Sequence, residues 1–271
     1  MVQLTPGNKV QLRNVHTPQK SIDTTRMRGH CLSSMTLEAG VPVVMLQHYI
    51  NQTLYLLVNP AIVTLALQHS EVDGRASRGE VFAKYKFLRA LLAQEFALHK
   101  AWDETDFEDT LKQLDLLHIA EEAEDGRLVL GNHRKLQTLL LHLLSPFLGG
   151  YLACCHSLAK VSVSAPVGMS QILQESQHKV EKQLGSGQLS HHYCLSLDLL
   201  SACVAALSAM GALTRSKDAS GKVVYQGSEE KLRHVASTLE DLLTLQKTQS
   251  EVAAPDTMAE QLLIQQERAK L

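Results

Sequence analysis

Apolar positions crowd together between Val41 and Leu67 (VPVVMLQHYINQTLYLLVNPAIVTLAL), and Asn59-Pro60 divides the run. Proline breaks a helix interior but suits a first turn, so the pattern predicts two helices with Pro60 opening the second. Gln68 to Ser77 is a polar loop holding Asp73-Gly74. From Arg78 to Phe96, residues Val81, Phe82, Tyr85, Leu88, Leu92 and Phe96 recur at three- and four-residue steps. Lys84, Lys86 and Arg89 fall among the polar positions, which makes this an amphipathic helix. Asp103 as N-cap, with Asp106 three residues on, starts another helix, because acidic groups suit the positive end of the helix dipole.

After Leu117 the period changes. Ile119 to Leu130 reads as a hairpin around Asp125-Gly126. A long apolar helix follows from His133, and Leu136 to Ala159 carries no formal charge over 24 residues. That length can span a bilayer. Gln137, His142, Ser145, Pro146, Gly149-Gly150 and His156 interrupt it, so we read a buried helix pair broken at Ser145-Pro146. Ser162 to Gln188 is a polar helical segment with loops at its ends. Ser196 to Met210 is a small-residue helix. Leu213-Thr214-Arg215, a turn at Asp218 to Gly221, and Lys222 to Tyr225 form a second hairpin, and Ser228 caps a last helix. With Gly126 set on Gly221, Arg127-Leu128-Val129-Leu130 faces Lys222-Val223-Val224-Tyr225. With one inserted residue, Lys135-Leu136 faces Lys231-Leu232. Duplication and two independent hairpins both account for so short a match.

The fold expected is mainly α with two β-hairpins (α+β), a helical bundle containing two winged-helix-like units. Residues 1–40 form an irregular opening segment, with a short strand at Asn8 to Leu12. Residues 41–160 form a helical unit with the first hairpin, and 161–247 a second. Residues 248–271 form a flexible tail. The core should centre on Leu54, Phe87, Phe96, Leu140, Phe147 and Leu200.

Composition then narrows the chemistry. The chain has 271 residues, 45% apolar and 20% charged, enough to bury a core. A net charge of −2 provides no basic field for nucleic acid, and 4% aromatics leave few platforms for base stacking. Asp103 to Asp125 holds ten acids against Lys112, a solvated acidic helix face that would repel phosphates. Five cysteines without C-x-x-C spacing read as reduced, buried thiols of an intracellular protein. The first forty residues lack the apolar run of a secretory signal. His191, His192 and Cys194 lie close together, but without a second cluster they read as partly exposed side chains at a helix start, with no metal. Nucleophile-elbow, dinucleotide and P-loop motifs are absent.

The chain ends Ala269-Lys270-Leu271 on a polar tail. A small residue, a base and a terminal leucine form a peroxisomal address like S-K-L, read by an import receptor.

Four segments carry a family resemblance. HYINQTLYLLVNPAIVTLAL (His48 to Leu67), KYKFLRALLAQEF (Lys84 to Phe96), LLSPFLGGYLACC (Leu143 to Cys155) and LSLDLLSACVAALSAMGAL (Leu195 to Leu213) follow in order. Together they resemble the C-terminal region of the glycerol-phosphate and dihydroxyacetone-phosphate acyltransferases, over about Met45 to Lys217. With the terminal tripeptide, the resemblance implies the peroxisomal dihydroxyacetone-phosphate branch. That branch starts ether-lipid synthesis by acyl transfer from acyl-CoA, its co-substrate. The resemblance also implies peripheral contact with the peroxisomal membrane, on its matrix side, and partnership with alkyl-dihydroxyacetone-phosphate synthase. No cofactor is implied.

The family's catalytic motif is His-x4-Asp, with histidine as general base. None of the thirteen histidines has aspartate five positions on; His99/Glu104 is nearest. The F-x-E-G-x-R-S phosphate block is also absent. The chain is therefore expected to be the non-catalytic part of such an acyltransferase, without catalytic residues of its own. The alternatives are a stand-alone winged-helix-like protein-interaction module, and an independent enzyme using His99 and Glu104. An exposed apolar patch would favour the first reading, and a closed surface the interaction module.

Overall fold

The structure is a computed structural model that describes residues 2–5, 9–12, 31–99, 103–244 and 246, the first two segments by backbone alone. β1 (Val2–Thr5) pairs antiparallel with β2 (Lys9–Leu12). β2 lies on the expected strand, while β1 falls in a stretch read as irregular.

α1 (Ser34–Ser70) starts earlier than expected and passes through both Pro42 and Pro60 without a break. This corrects the two-helix reading. A proline inside a helix costs ~3 kcal/mol by removing one bond to the carbonyl four residues back. For Pro60 that carbonyl belongs to Leu56, a residue that is 73% exposed. Beyond it, Ile62, Val63, Leu65 and Leu67 are fully buried. Each such side chain contributes about 1.5–3 kcal/mol, so burial outweighs the lost bond.

Of the predicted stripe, α2 (Arg78–Phe96) buries Val81, Tyr85, Leu88, Leu92 and Phe96 and leaves Phe82 half-buried; it ends on Ala97 in the left-handed region. Arg89 departs from the reading, because it is 2% exposed rather than on the polar face. Its guanidinium meets Asp103 at 2.8 Å and Asp106 at 2.7 Å in α3 (Asp103–Leu116), and Asn59 of α1 at 2.8 Å. It also donates to the His99 carbonyl at 3.2 Å. A buried charge persists only when paired and hydrogen-bonded, and this one ties three helices together. The acidic stretch is thus not one solvated face. Asp103 and Asp106 serve Arg89, Glu108 and Glu122 pair with Arg78, and Glu104, Asp109 and Asp115 remain exposed. Asp103 is the first residue of α3 rather than a residue ahead of it.

β3 (Ala120–Glu122) and β4 (Leu128–Leu130) form the first hairpin. α4 (Arg134–Leu143) and α5 (Ser145–Val161) follow, broken where Ser145-Pro146 predicts. The segment after α5 holds β5 (Val167–Gly168), which the polar pattern hid, and α6 (Met169–Gly185). A single turn at His192–Leu195 leads into α7 (Leu197–Ala209). β6 (Leu213–Lys217) and β7 (Val223–Gly227) form the second hairpin, and α8 covers residues 229–244. β5 completes a three-stranded sheet in the order β5-β7-β6. The molecule is mainly α with small antiparallel β-sheets, as the sequence pattern predicts.

The two hairpins share backbone chemistry. In the first, Ala123 N–H bonds the Arg127 carbonyl at 2.8 Å and Gly126 N–H bonds that of Ala123 at 2.9 Å. Asp218, Lys222 and Gly221 repeat the pattern at 2.9 Å each. Both turn glycines have positive φ, 75° and 79°, which an L side chain resists. Leu117, His118 and Ile119 bond Gln113, Asp115 and Leu114 at the end of α3. Met210, Gly211 and Ala212 bond Ala206, Ser208 and Leu207 in the same way at the end of α7. Ahead of α2, Ala76 bridges Leu128 of β4 in both directions, as β5 ahead of α6 pairs with β7.

Of the six expected core residues, Phe96, Leu140, Phe147 and Leu200 are buried. Leu54 and Phe87 are only half-buried, packed on the core's edge. Cys154, Cys155, Cys194 and Cys203 are buried free thiols, whereas Cys31 is partly exposed. Among the described residues two helical stretches are long and apolar enough to cross a membrane: residues 134–161, mostly buried, and α1, less so.

Candidate functional site

α1 divides at Val58. From Val58 to Ser70 the helix sits in the core. Before it, Met45, Leu46, Tyr49, Ile50, Leu56 and Leu57 are all exposed, Leu46 at 61% and Leu56 at 73%. At 3.6 residues per turn these six fall within about 140° of arc. They form an apolar stripe along the solvent side of the helix, shared with the exposed Thr53. Scattered apolar residues on a surface are ordinary, but a contiguous stripe marks an interaction surface.

The stripe is held in place from behind. Asn51 on α1 donates from Nδ2 to the Tyr193 hydroxyl at 2.8 Å and to Glu95 Oε1 at 3.1 Å. Tyr193 donates to the same Glu95 oxygen at 2.8 Å, and Gln47 Nε2 donates to Asn51 Oδ1 at 2.8 Å. Glu95 comes from the last turn of α2, and Tyr193 from the single turn before α7. Burial pushes the Glu95 carboxyl above its ordinary range, against the pull of the Tyr193 hydrogen bond, and the nearby Asp198 charge adds to the rise. Burial and the adjacent Glu95 push the Tyr193 phenol up as well. The network lies in a cavity of about 730 Å³ between α1, α2 and α7, which His48, Tyr55, Ser196 and Asp198 also line.

Below it, α5 carries Gly149-Gly150. A Cβ at Gly150 would stand 2.6 Å from Leu199 Cδ2 and 3.4 Å from the Cys194 backbone. At Gly149 it would stand 2.9 Å from Leu189 Cδ2. A larger residue at either position would have to displace the Leu189 or Leu199 side chain, so the glycines favour close packing of the 189–199 segment, with Tyr193 on it, against α5. All four segments quoted for the family resemblance therefore meet here, through Asn51, Glu95, Gly150 and Asp198. The sequence signal was present as a polar Asn and an acidic Glu inside otherwise apolar helices. The partner Tyr193 lies just outside those segments, and the sequence pattern did not single it out.

The arrangement positions a helix. His99 and Glu104 are both exposed, and the His99 carbonyl serves Arg89. Cys194 points its thiol at the Pro146 carbonyl, 3.1 Å away, with His191 exposed. Among the described residues no cluster of His, Cys, Asp and Glu could hold a metal. Ala269, Lys270 and Leu271 lie outside the described residues.

A sequence model of the glycerol-3-phosphate acyltransferase C-terminal region matches residues 15–216. No curated protein matches the chain.

Proposed function

The chain belongs to the glycerol-3-phosphate acyltransferase C-terminal region family, and from that premise we propose that it is the non-catalytic C-terminal part of a dihydroxyacetone-phosphate O-acyltransferase. An acyltransferase-related role in phospholipid metabolism follows from the family itself. The narrower reading is an accessory region that packs on a catalytic domain bearing His-x4-Asp. One observation carries it. The exposed stripe of α1 is an apolar face that the described residues leave uncovered, and a catalytic domain is the partner this reading offers it. Asn51 and Glu95, from two of the four family-like segments, hold that stripe in place together with Gln47 and Tyr193. Burying it would stabilise the pair of domains, at about 25 cal/mol per Å² of apolar area.

Ala269-Lys270-Leu271 supports import into the peroxisome by its receptor. On this reading acyl-CoA is the co-substrate of the whole enzyme, which works at the matrix face of the membrane beside alkyl-dihydroxyacetone-phosphate synthase in ether-lipid synthesis. The exposed acids of α3 speak against nucleic acid. A stand-alone interaction module would present a closed surface, and the stripe of α1 disfavours it.

The test is acyl transfer from palmitoyl-CoA to dihydroxyacetone phosphate, with glycerol 3-phosphate as competing acceptor. The chain alone should be inactive. Added to the separately produced catalytic domain, it should raise turnover. Turnover by the chain alone would overturn the non-catalytic role. Targeting is read independently. A fluorescent fusion exposing the native C-terminus should enter peroxisomes and lose them on removal of Ala269-Lys270-Leu271.

A further inference from the structure

On the other side of α1 from the Glu95 network lies a second cavity, of about 680 Å³. Ile50 and Leu54 of α1, Leu139 and Leu143 of α4, Leu189 and Leu243 form its apolar lining. None of its lining residues carries Asp, Glu, Lys or Arg, although a fifth of the chain is charged. Its polar lining groups are amides, hydroxyls, the Cys194 thiol and the imidazoles of His142 and His191. The volume falls within the roughly 300–1,000 Å³ of small-molecule sites. Ile50 belongs both to this cavity and to the exposed stripe of α1, so the cavity opens onto that stripe.

We infer that this groove between α1, α4 and α8 binds the single aliphatic tail of a lipid or thioester. A neutral, elongated, apolar occupant matches a wall without charge, and the opening at Ile50 directs its polar end toward the α1 face. This rests on the acyltransferase reading for the tail's carrier only. Tail binding is a property of the isolated chain and is measured without turnover.

The experiment is equilibrium binding to the purified full chain, by displacement of a fluorescent fatty acid, below the micelle concentration of each probe. The probes are palmitate, palmitoyl-CoA, laurate, octanoate and free CoA. Palmitate and palmitoyl-CoA should bind alike, and CoA should not compete. Affinity should rise from octanoate to laurate by up to about fourfold per methylene, the increment of apolar transfer, and level off once the groove is filled. Tighter binding of palmitoyl-CoA than of palmitate, with CoA itself inert, assigns the tail to a thioester; the reverse assigns it to a free acid. Leu139→Glu, at a position already 53% exposed, should weaken palmitate at least tenfold while leaving the circular-dichroism spectrum unchanged. Leu243→Glu should repeat the loss from the opposite wall. Binding that tracks CoA, that ignores chain length, or that survives both variants would overturn the groove. If tails bind but the chain does not stimulate the catalytic domain, the proposed function fails and the groove stands.

Discussion

The two halves of α1 are almost equally apolar, yet they meet opposite fates. From Val58 onward, Ile62, Val63, Leu65 and Leu67 are fully buried by α2, α3 and α4. Before Val58, Leu46, Tyr49, Leu56 and Leu57 face solvent, although polar anchors at Gln47 and Asn51 fix the helix behind them. Hydropathy alone does not separate the halves; what separates them is whether a partner element lies within this chain. The first half is rigidly presented and uncovered, which is how a docking surface differs from a core.

The sharpest way to break the comparison is from the buried half. Arg89→Leu leaves Asp103 and Asp106 without this partner and removes the shorter of the two hydrogen bonds to Asn59. It should cost about 3–5 kcal/mol, the toll of breaking a buried pair. Leu65→Ala should cost about 2–5 kcal/mol through lost transfer energy and a cavity. Both are read as a lowered midpoint in chemical denaturation. If Leu65→Ala proves neutral, the C-terminal half of α1 is not core.

Next in size is the anchor between the halves. Tyr193→Phe removes the donor to Glu95 and the acceptor for Asn51, and should cost about 1–2 kcal/mol. Hydrogen exchange should report it as faster opening of residues 45–57 rather than 58–70. Glu95→Gln tests the charge itself. The folded carboxyl holds its proton above the ordinary range, so folding binds a proton that the unfolded chain releases. Stability is then greatest below the unfolded carboxyl pKa of about 4.3 and erodes as pH rises through the raised folded value. Gln keeps an acceptor for Tyr193 without the charge. The variant should lose part of this fall in melting temperature between pH 4 and pH 7. An unchanged pH slope would remove Glu95 from the account.

The smallest effect expected is from the exposed half. Leu56→Ala should change the stability of the isolated chain by less than about 0.5 kcal/mol, as for a surface position. That contrast with Leu65→Ala, nine residues along one helix, states the comparison in its simplest form.

Much of this architecture was legible in the sequence. Three- and four-residue apolar steps placed α2, and turn residues at Asp125-Gly126 and Asp218 to Gly221 placed both hairpins. Local signals failed where long-range partners decide. Pro60 read as a helix start because the pattern cannot show that Ile62 to Leu67 will be buried deeply enough to carry an interior proline. Arg89 read as solvated because Asp103 and Asp106 reach it from another helix. β5 is two residues long and exists only by pairing with Tyr225 and Val224. At the site, the sequence reading singled out none of Asn51, Glu95 and Tyr193, because their hydrogen bonds join residues 44 to 142 positions apart.

The most direct test of the central claim is the affinity of the purified chain for the catalytic domain of the acyltransferase, measured by titration calorimetry. The comparison is with a Leu46→Asp/Leu56→Asp double variant whose own fold is verified by its unfolding curve. The account predicts binding with a negative heat-capacity change, from buried apolar surface, and a loss of at least a hundredfold in the variant. Equal affinity in the two, with both chains folded, would contradict it, because the exposed half of α1 would then carry no partner.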